Sequence, residues 1–384
     1  MKKLPTIGIR DAKREIIFVQ GGMGVGISLA PLARAVARRG GVGTISSAGL
    51  AAIVSKRLGR KVNDREAAAI EVAEAKKEGG CIAINIMVAL HQAFNDSILG
   101  ALDGGVDALI LGAGLPTNLP EELATADVAL IPIVSSAKAL RIIQRRWQER
   151  LHRRPDAVVL EGPLAGGHLG FAPDDVDKQE FALERIFGPV KEFAQKNGDY
   201  PVIVAGGIYY HEDIVRWVNE YGADGVQMGT RFAATHESGA SPAFKEAIIK
   251  CREEDIIVAK KPGSPCGLPF RIIKTSPGYQ LALRKARPPK CNRGLVLKKD
   301  EAGKYTVCSA KDSYESFCIC NVLFSAHGLT DKEEPIFTVG GRAHLVDRIL
   351  SVDELMDELV GVNGCGSSRP SPSSTDSGSD GPAA

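Results

Sequence analysis

The 384-residue sequence has no run of about 18 consecutive apolar residues, the length a membrane-spanning helix needs, so no transmembrane segment is expected. Nor does one charge dominate: Lys and Arg number 48 against 46 Asp and Glu, a net +2. That balance argues against a nucleic-acid coat or a polybasic membrane binder. No secretory leader is expected either, since Arg10, Asp11 and Lys13 stand where its apolar stretch would fall. The reading is a cytoplasmic chain with neither nucleic acid nor membrane as partner. Eight cysteines in so long a chain make no disulfide scaffold, and no C-x-x-C pair occurs. Cys266, Cys291, Cys308, Cys318 and Cys320 fall late in the chain, but Cys318-Ile319-Cys320 is a weak ligand pattern, so no metal is expected. Nucleotide fingerprints are incomplete. Ile27 and Leu29 stand where a G-x-G-x-x-G begun at Gly22 or Gly24 needs its last glycine, and no P-loop occurs.

What is present is 44% apolar residues and 42 glycines, about one residue in nine. Apolar runs at 16–20, 42–46, 81–86, 108–111, 129–134, 157–161, 202–205 and 225–228 are continuous, rich in Val and Ile, and bounded by Gly or Pro. That is the pattern of parallel strands buried on both faces. Amphipathic stretches such as 65–78, 138–150, 179–196 and 212–221 separate them with helical spacing. Eight strands, most followed by a helix, predict an α/β fold of the (β/α)8 TIM-barrel type over 1–259; a doubly wound open sheet is the alternative. Residues 163–178 are too long for a simple strand–helix turn. After about 259 the alternation stops, and 260–363 reads as a smaller cysteine-containing subdomain packing on the barrel. It ends in a helix at 351–360, where Ser351 and Glu354 fit a capping box. Residues 364–384 are Ser, Pro, Gly and Asp, the composition of a disordered tail.

In a parallel barrel the active site forms at the carboxyl ends of the strands, and here nearly every end carries Gly or a small polar residue. Such a ring describes a floor for a large planar or phosphorylated ligand. Gly206-Gly207 and Gly229-Thr230 follow the last two strands, where barrels frequently hold a phosphate. His168, in Gly166-Gly167-His168-Leu169-Gly170, lies past the sixth strand on a glycine-rich loop. An imidazole there can take a proton from a carbon acid or stabilise a developing anion.

Six blocks, in order from about residue 16 to 237, resemble the nitronate monooxygenase (2-nitropropane dioxygenase-like) family, with the flavin-dependent enoyl-acyl-carrier-protein reductases as close relatives. They are Gln20-Gly21-Gly22-Met23-Gly24, Asn85-Ile86-Met87, Gly112-Ala113-Gly114, the run Glu161-Gly162 to Gly170 around His168, Ala205-Gly206-Gly207-Ile208, and Gly225 to Phe232. The resemblance implies FMN on a TIM barrel. Gly22, Met23 and Gly24 would lie against the flavin, and Asn85 would hydrogen-bond its ring system. Gly206, Gly207, Gly229 and Thr230 would hold the phosphate with Gln227 nearby. His168 would be the catalytic base or anion-stabilising group. Some members place a Lys just after the fifth strand, where this chain has Val134-Ser135-Ser136. The activity implied is oxidation of a nitronate with O2 to a carbonyl compound and nitrite, a reading helped by an inserted helix around Trp147 and by the Gly112–Pro116 run. The alternatives are an NAD(P)H-dependent enoyl reductase acting on an enoyl thioester and a phosphate-binding barrel without flavin. The oligomeric state stays open.

Overall fold

Eight of the apolar runs close on one another as a parallel barrel, in a computed structural model that describes residues 2–285, 288–290, 292–293, 295–296, 308, 310 and 313–362. Cys291 and the expected tail, 364–384, lie outside the described residues. The barrel strands are β1 (Ile17–Gln20), β2 (Val42–Ser46), β3 (Cys81–Met87), β4 (Ala108–Gly112), β5 (Ala129–Val134) and β6 (Val158–Glu161), then β8 (Val202–Ala205) and β9 (Gly225–Met228). Gln20 stands opposite Met228, which closes the ring. The (β/α)8 expectation therefore holds.

Period-two alternation divides the barrel residues between two cores. Ile17, Val19, Ile110, Ile131, Val159 and Ile203 form one buried cluster that fills the barrel. Their neighbours Phe18, Leu109, Leu111, Leu130, Leu160 and Val204 turn outward onto the helices. The helices start where short polar side chains can accept an otherwise unpaired amide. Asn63 Oδ1 accepts from Glu66 N at 2.8 Å ahead of the helix Asp64–Ala75, and Ser136 Oγ from Ala139 N at 3.3 Å ahead of Ala137–Leu151.

The stretch from 163 to 178 is not a plain loop. It contains β7 (Gly167–His168), which pairs antiparallel with β11 (Phe270–Ile273), itself antiparallel to β10 (Ile256–Ala259). The sequence marks both breaks in the strand–helix rhythm, at 163–178 and after 259, but not the three-stranded sheet that joins them. The final helix, Val352–Val360, carries the expected capping box: Glu354 N donates to Ser351 Oγ at 3.2 Å and Ser351 N to Glu354 Oε2 at 2.7 Å. It buries Val352, Leu355, Met356 and Leu359 in the same cluster as the barrel helices. No helix among the described residues is long and apolar enough to cross a membrane.

Candidate active site

A cavity of about 530 Å³ opens over the carboxyl ends of the barrel strands, and all ten candidate site residues line it. Its floor is the turn after β1. Gln20 is fully buried; its Nε2 donates to Ser28 Oγ at 2.9 Å, and its Oε1 accepts from Thr44 N at 2.9 Å. Ser28 Oγ in turn accepts from Met23 N at 2.9 Å. This network fixes Gly21–Gly24 flat against the barrel. A Cβ on Gly22 would lie 2.3 Å from Asn85 Cβ, so no side chain fits between the turn and β3. Asn85 Nδ2 donates to Ile110 O at 3.2 Å. Gln227 Oε1 is buried without a hydrogen-bond partner, an acceptor that a ligand N–H would satisfy.

The ends of β8 and β9 stand side by side. Gly206 and Gly207 have φ of +94° and +81°, and a Cβ on Gly206 would sit 2.9 Å from Ala165 N. Only glycine takes up that turn without strain. A segment from the C-terminal part straps both turns. Gly340 N donates to Thr230 Oγ1 at 2.9 Å, Gly341 N to Leu164 O at 2.9 Å, and Arg342 Nη1 to Gly207 O at 2.8 Å. Arg342 also meets Asp213 Oδ2 at 2.6 Å, and that oxygen accepts from Tyr209 N and Tyr210 N as well. A cation therefore stands in the cavity wall beside the Gly207 turn. The departure noted after β5 has a structural counterpart: Ser135 Oγ donates to Gly170 O at 2.7 Å, steadying the histidine loop.

His168 is held by β7, opposite Phe270 of β11, with the two ring centroids 4.6 Å apart. Buried Arg271 pins the approach to it, donating to Ala165 O at 3.1 Å and Pro163 O at 2.7 Å. The surrounding protein pushes the imidazole down to about 4 by desolvation, so it is neutral at pH 7. Burial acts oppositely on Glu161, at the end of β6, pushing its carboxyl up to about 8. The cavity wall thus carries a neutral base and a neutral acid together. From the C-terminal part Val296, Ile319, Leu323 and Phe324 close the far side with apolar surface.

A sequence model of nitronate monooxygenase matches residues 10–361. The chain belongs to that family. The family's enzymes are flavin-dependent oxidoreductases. Among similar proteins, a probable nitronate monooxygenase of Staphylococcus saprophyticus is 32% identical over 44% of this chain and 44% of that protein. One of Bacillus subtilis is 35% identical over 36% of this chain and 37% of its own length. The chain thus matches less than half the length of these curated relatives. The structure of FabK from Thermotoga maritima superposes with a TM-score of 0.66 at 24% identity, covering 93% of this chain and 96% of that one, which shows a shared fold.

Three cavity or near-cavity groups had no assigned role on sequence grounds: Glu161, Ser264 and Arg342. Glu161 sits inside the histidine motif of the nitronate monooxygenase family, and its place at a strand end was the available signal. Ser264 and Arg342 come from the stretch beyond 259, where no periodicity links them to the barrel. One expectation is corrected. The helix around Trp147 is no insertion; it is the regular helix following β5, Ala137–Leu151. Trp147 is buried, and its Nε1–H is satisfied by donating to Pro116 O at 2.6 Å, tying that helix to the Gly112–Pro116 run. Among the described residues, no three His, Cys, Asp or Glu side chains gather as a metal-holding group.

Proposed function

We propose that the chain is an FMN-dependent nitronate monooxygenase. The observation that carries this reading is a neutral imidazole mounted on its own small sheet over a glycine floor. The residues present fit a flat, phosphorylated cofactor. Gly22 leaves a side-chain-free surface, Gln227 offers an orphaned acceptor, and the Gly206-Gly207 and Gly229-Thr230 turns face one end of the cavity with Arg342 beside them. When bound there, FMN supplies the electron transfer and oxygen reactivity that convert a nitronate to a carbonyl compound and nitrite.

The protein's own part is positioning and proton handling. Met23 and Gly24 extend the floor, while Asn85 and Gln227 orient the ring by hydrogen bonds. His168 removes the α-proton of a neutral nitroalkane: the C–H bond breaks, its electron pair moves into the nitro group, and the proton stays on the imidazole. A preformed nitronate does not need that step. His168→Ala should therefore lose about 10²- to 10⁴-fold in nitroalkane turnover, the usual worth of a general base, and far less on nitronate. Nitrite release and oxygen uptake are the assays. Equal losses on the two substrates would count against the base. Absence of nitrite, with NAD(P)H consumed by an enoyl thioester, would move the chain to the reductases.

A further inference from the structure

The two ring nitrogens of His168 have different surroundings. Nε2 lies 3.1 Å from the Oγ of Ser264, a residue outside the cavity lining. Ser264 is buried, in the connection between β10 and β11, and its hydroxyl also meets Cys266 Sγ at 3.0 Å. Nδ1 has no hydrogen bond among the described residues and is not one of the sealed, unsatisfied polar atoms. It is the nitrogen left for a ligand. Phe270 leans on the ring face and Arg271 pins the approach loop, so the imidazole has little room to turn over.

A hydroxyl owns one proton, and that single proton decides the tautomer. If Ser264 donates it to Nε2, the neutral imidazole's one ring N–H hydrogen must sit on Nδ1, and the cavity meets an N–H donor. If Ser264 gives it toward Cys266 Sγ, its oxygen accepts from Nε2–H, and Nδ1 keeps a lone pair facing the ligand. We propose that Ser264 is a positioning residue of the second kind: it holds His168 as the Nε2–H tautomer, so that Nδ1 is the atom that takes the substrate proton. The inference rests on the base role assigned to His168 above. Protonation at Nδ1 leaves the Nε2–H to Ser264 bond intact and strengthens it, because its donor becomes charged. The base, on β7, and its orienting group, in the connection between β10 and β11, lie 96 residues apart in sequence and are brought together by the β7–β11–β10 sheet.

The test reads the tautomer directly. Nitrogen-15 NMR of imidazole-labelled holoenzyme, with His168→Gln used to assign the resonance, should show His168 with an unprotonated Nδ1 at pH 7. In parallel, Ser264→Ala should lower nitroalkane kcat/KM about tenfold, the worth of one neutral hydrogen bond, with a smaller loss on preformed nitronate. Ser264→Thr, which keeps the hydroxyl, should recover to within about threefold of the parent. A protonated Nδ1 in the wild-type enzyme, or equal losses on both substrates in Ser264→Ala, would overturn the proposal. Should Ser264→Ala not fold, the wild-type spectrum and Ser264→Thr decide. Nitrite production by the wild type checks the monooxygenase reading separately, so a wrong tautomer with normal nitrite release refutes only the role of Ser264.

Discussion

Replacing Glu161 by Gln should change how stability depends on pH, in a direction fixed by burial. The carboxyl rises from 4.5 to about 8 because it is desolvated at the end of β6. Between those values the folded protein keeps a proton that the unfolded chain has released, so stability falls as pH rises through the window. His168 works the other way. Its imidazole drops from 6.5 to about 4, the unfolded chain binds the extra proton between them, and stability falls as pH is lowered. The two effects oppose each other from 4.5 to 6.5, and only Glu161 acts from 6.5 to 8. Over those roughly 1.5 pH units, at about 1.4 kcal/mol per unit, the wild type should lose about 2 kcal/mol that Glu161→Gln keeps. Denaturant unfolding of both proteins at pH 6.5 and 8.0, with a shared slope, measures the difference and cancels every other titration. Parallel behaviour of the two proteins would refute the buried, protonated carboxyl, and with it the idea that the cavity presents an acid at neutral pH.

Three further outcomes follow from the geometry. Gly206→Ala puts a Cβ 2.9 Å from Ala165 N at a φ of +94°, so FMN affinity by fluorescence titration should fall by roughly tenfold or more; retained affinity would remove that turn from the cofactor site. Arg342→Ala should weaken FMN more than riboflavin, since its cation stands beside the Gly207 turn, and equal weakening would show that it serves only the fold. Trp147→Phe loses the donor to Pro116 O and should cost about 1–2 kcal/mol in unfolding experiments; no change would mean that the carbonyl finds another partner.

The barrel was legible because its strands are local objects. The runs of β2, β5, β8 and β9 coincide with the expected bounds, each a Val- or Ile-rich stretch stopped by Gly, Ser or a small residue. The floor and turn residues were legible for a related reason: strand ends converge in a closed barrel, so glycines spread over some 200 residues must meet. The small sheet was not. Gly167-His168 is too short to show a period, and Phe270–Ile273 is joined to β10 only by the long connection 260–269 and to β7 by no direct connection. Arg342 and Ser264 reach the site through pairings some hundred residues apart, which leave no periodic trace. Glu161 shows a different limit. Its residue type was plain, but its protonation comes from burial, which only packing reveals.

The antiparallel sheet has a bearing on any attempt to borrow this catalyst in pieces. Cutting after β9 would remove the strand that β7 leans on and the arginine that tethers residues 163–165, together with Gly340 and Arg342, which brace the two glycine turns. Truncation should therefore weaken flavin retention along with proton abstraction, and only an exchange that spares residues 340–342 should separate the two. A swap of residues 250–280 between homologues would be expected to transplant the mount of the imidazole, and with it the preference between neutral and ionised substrates.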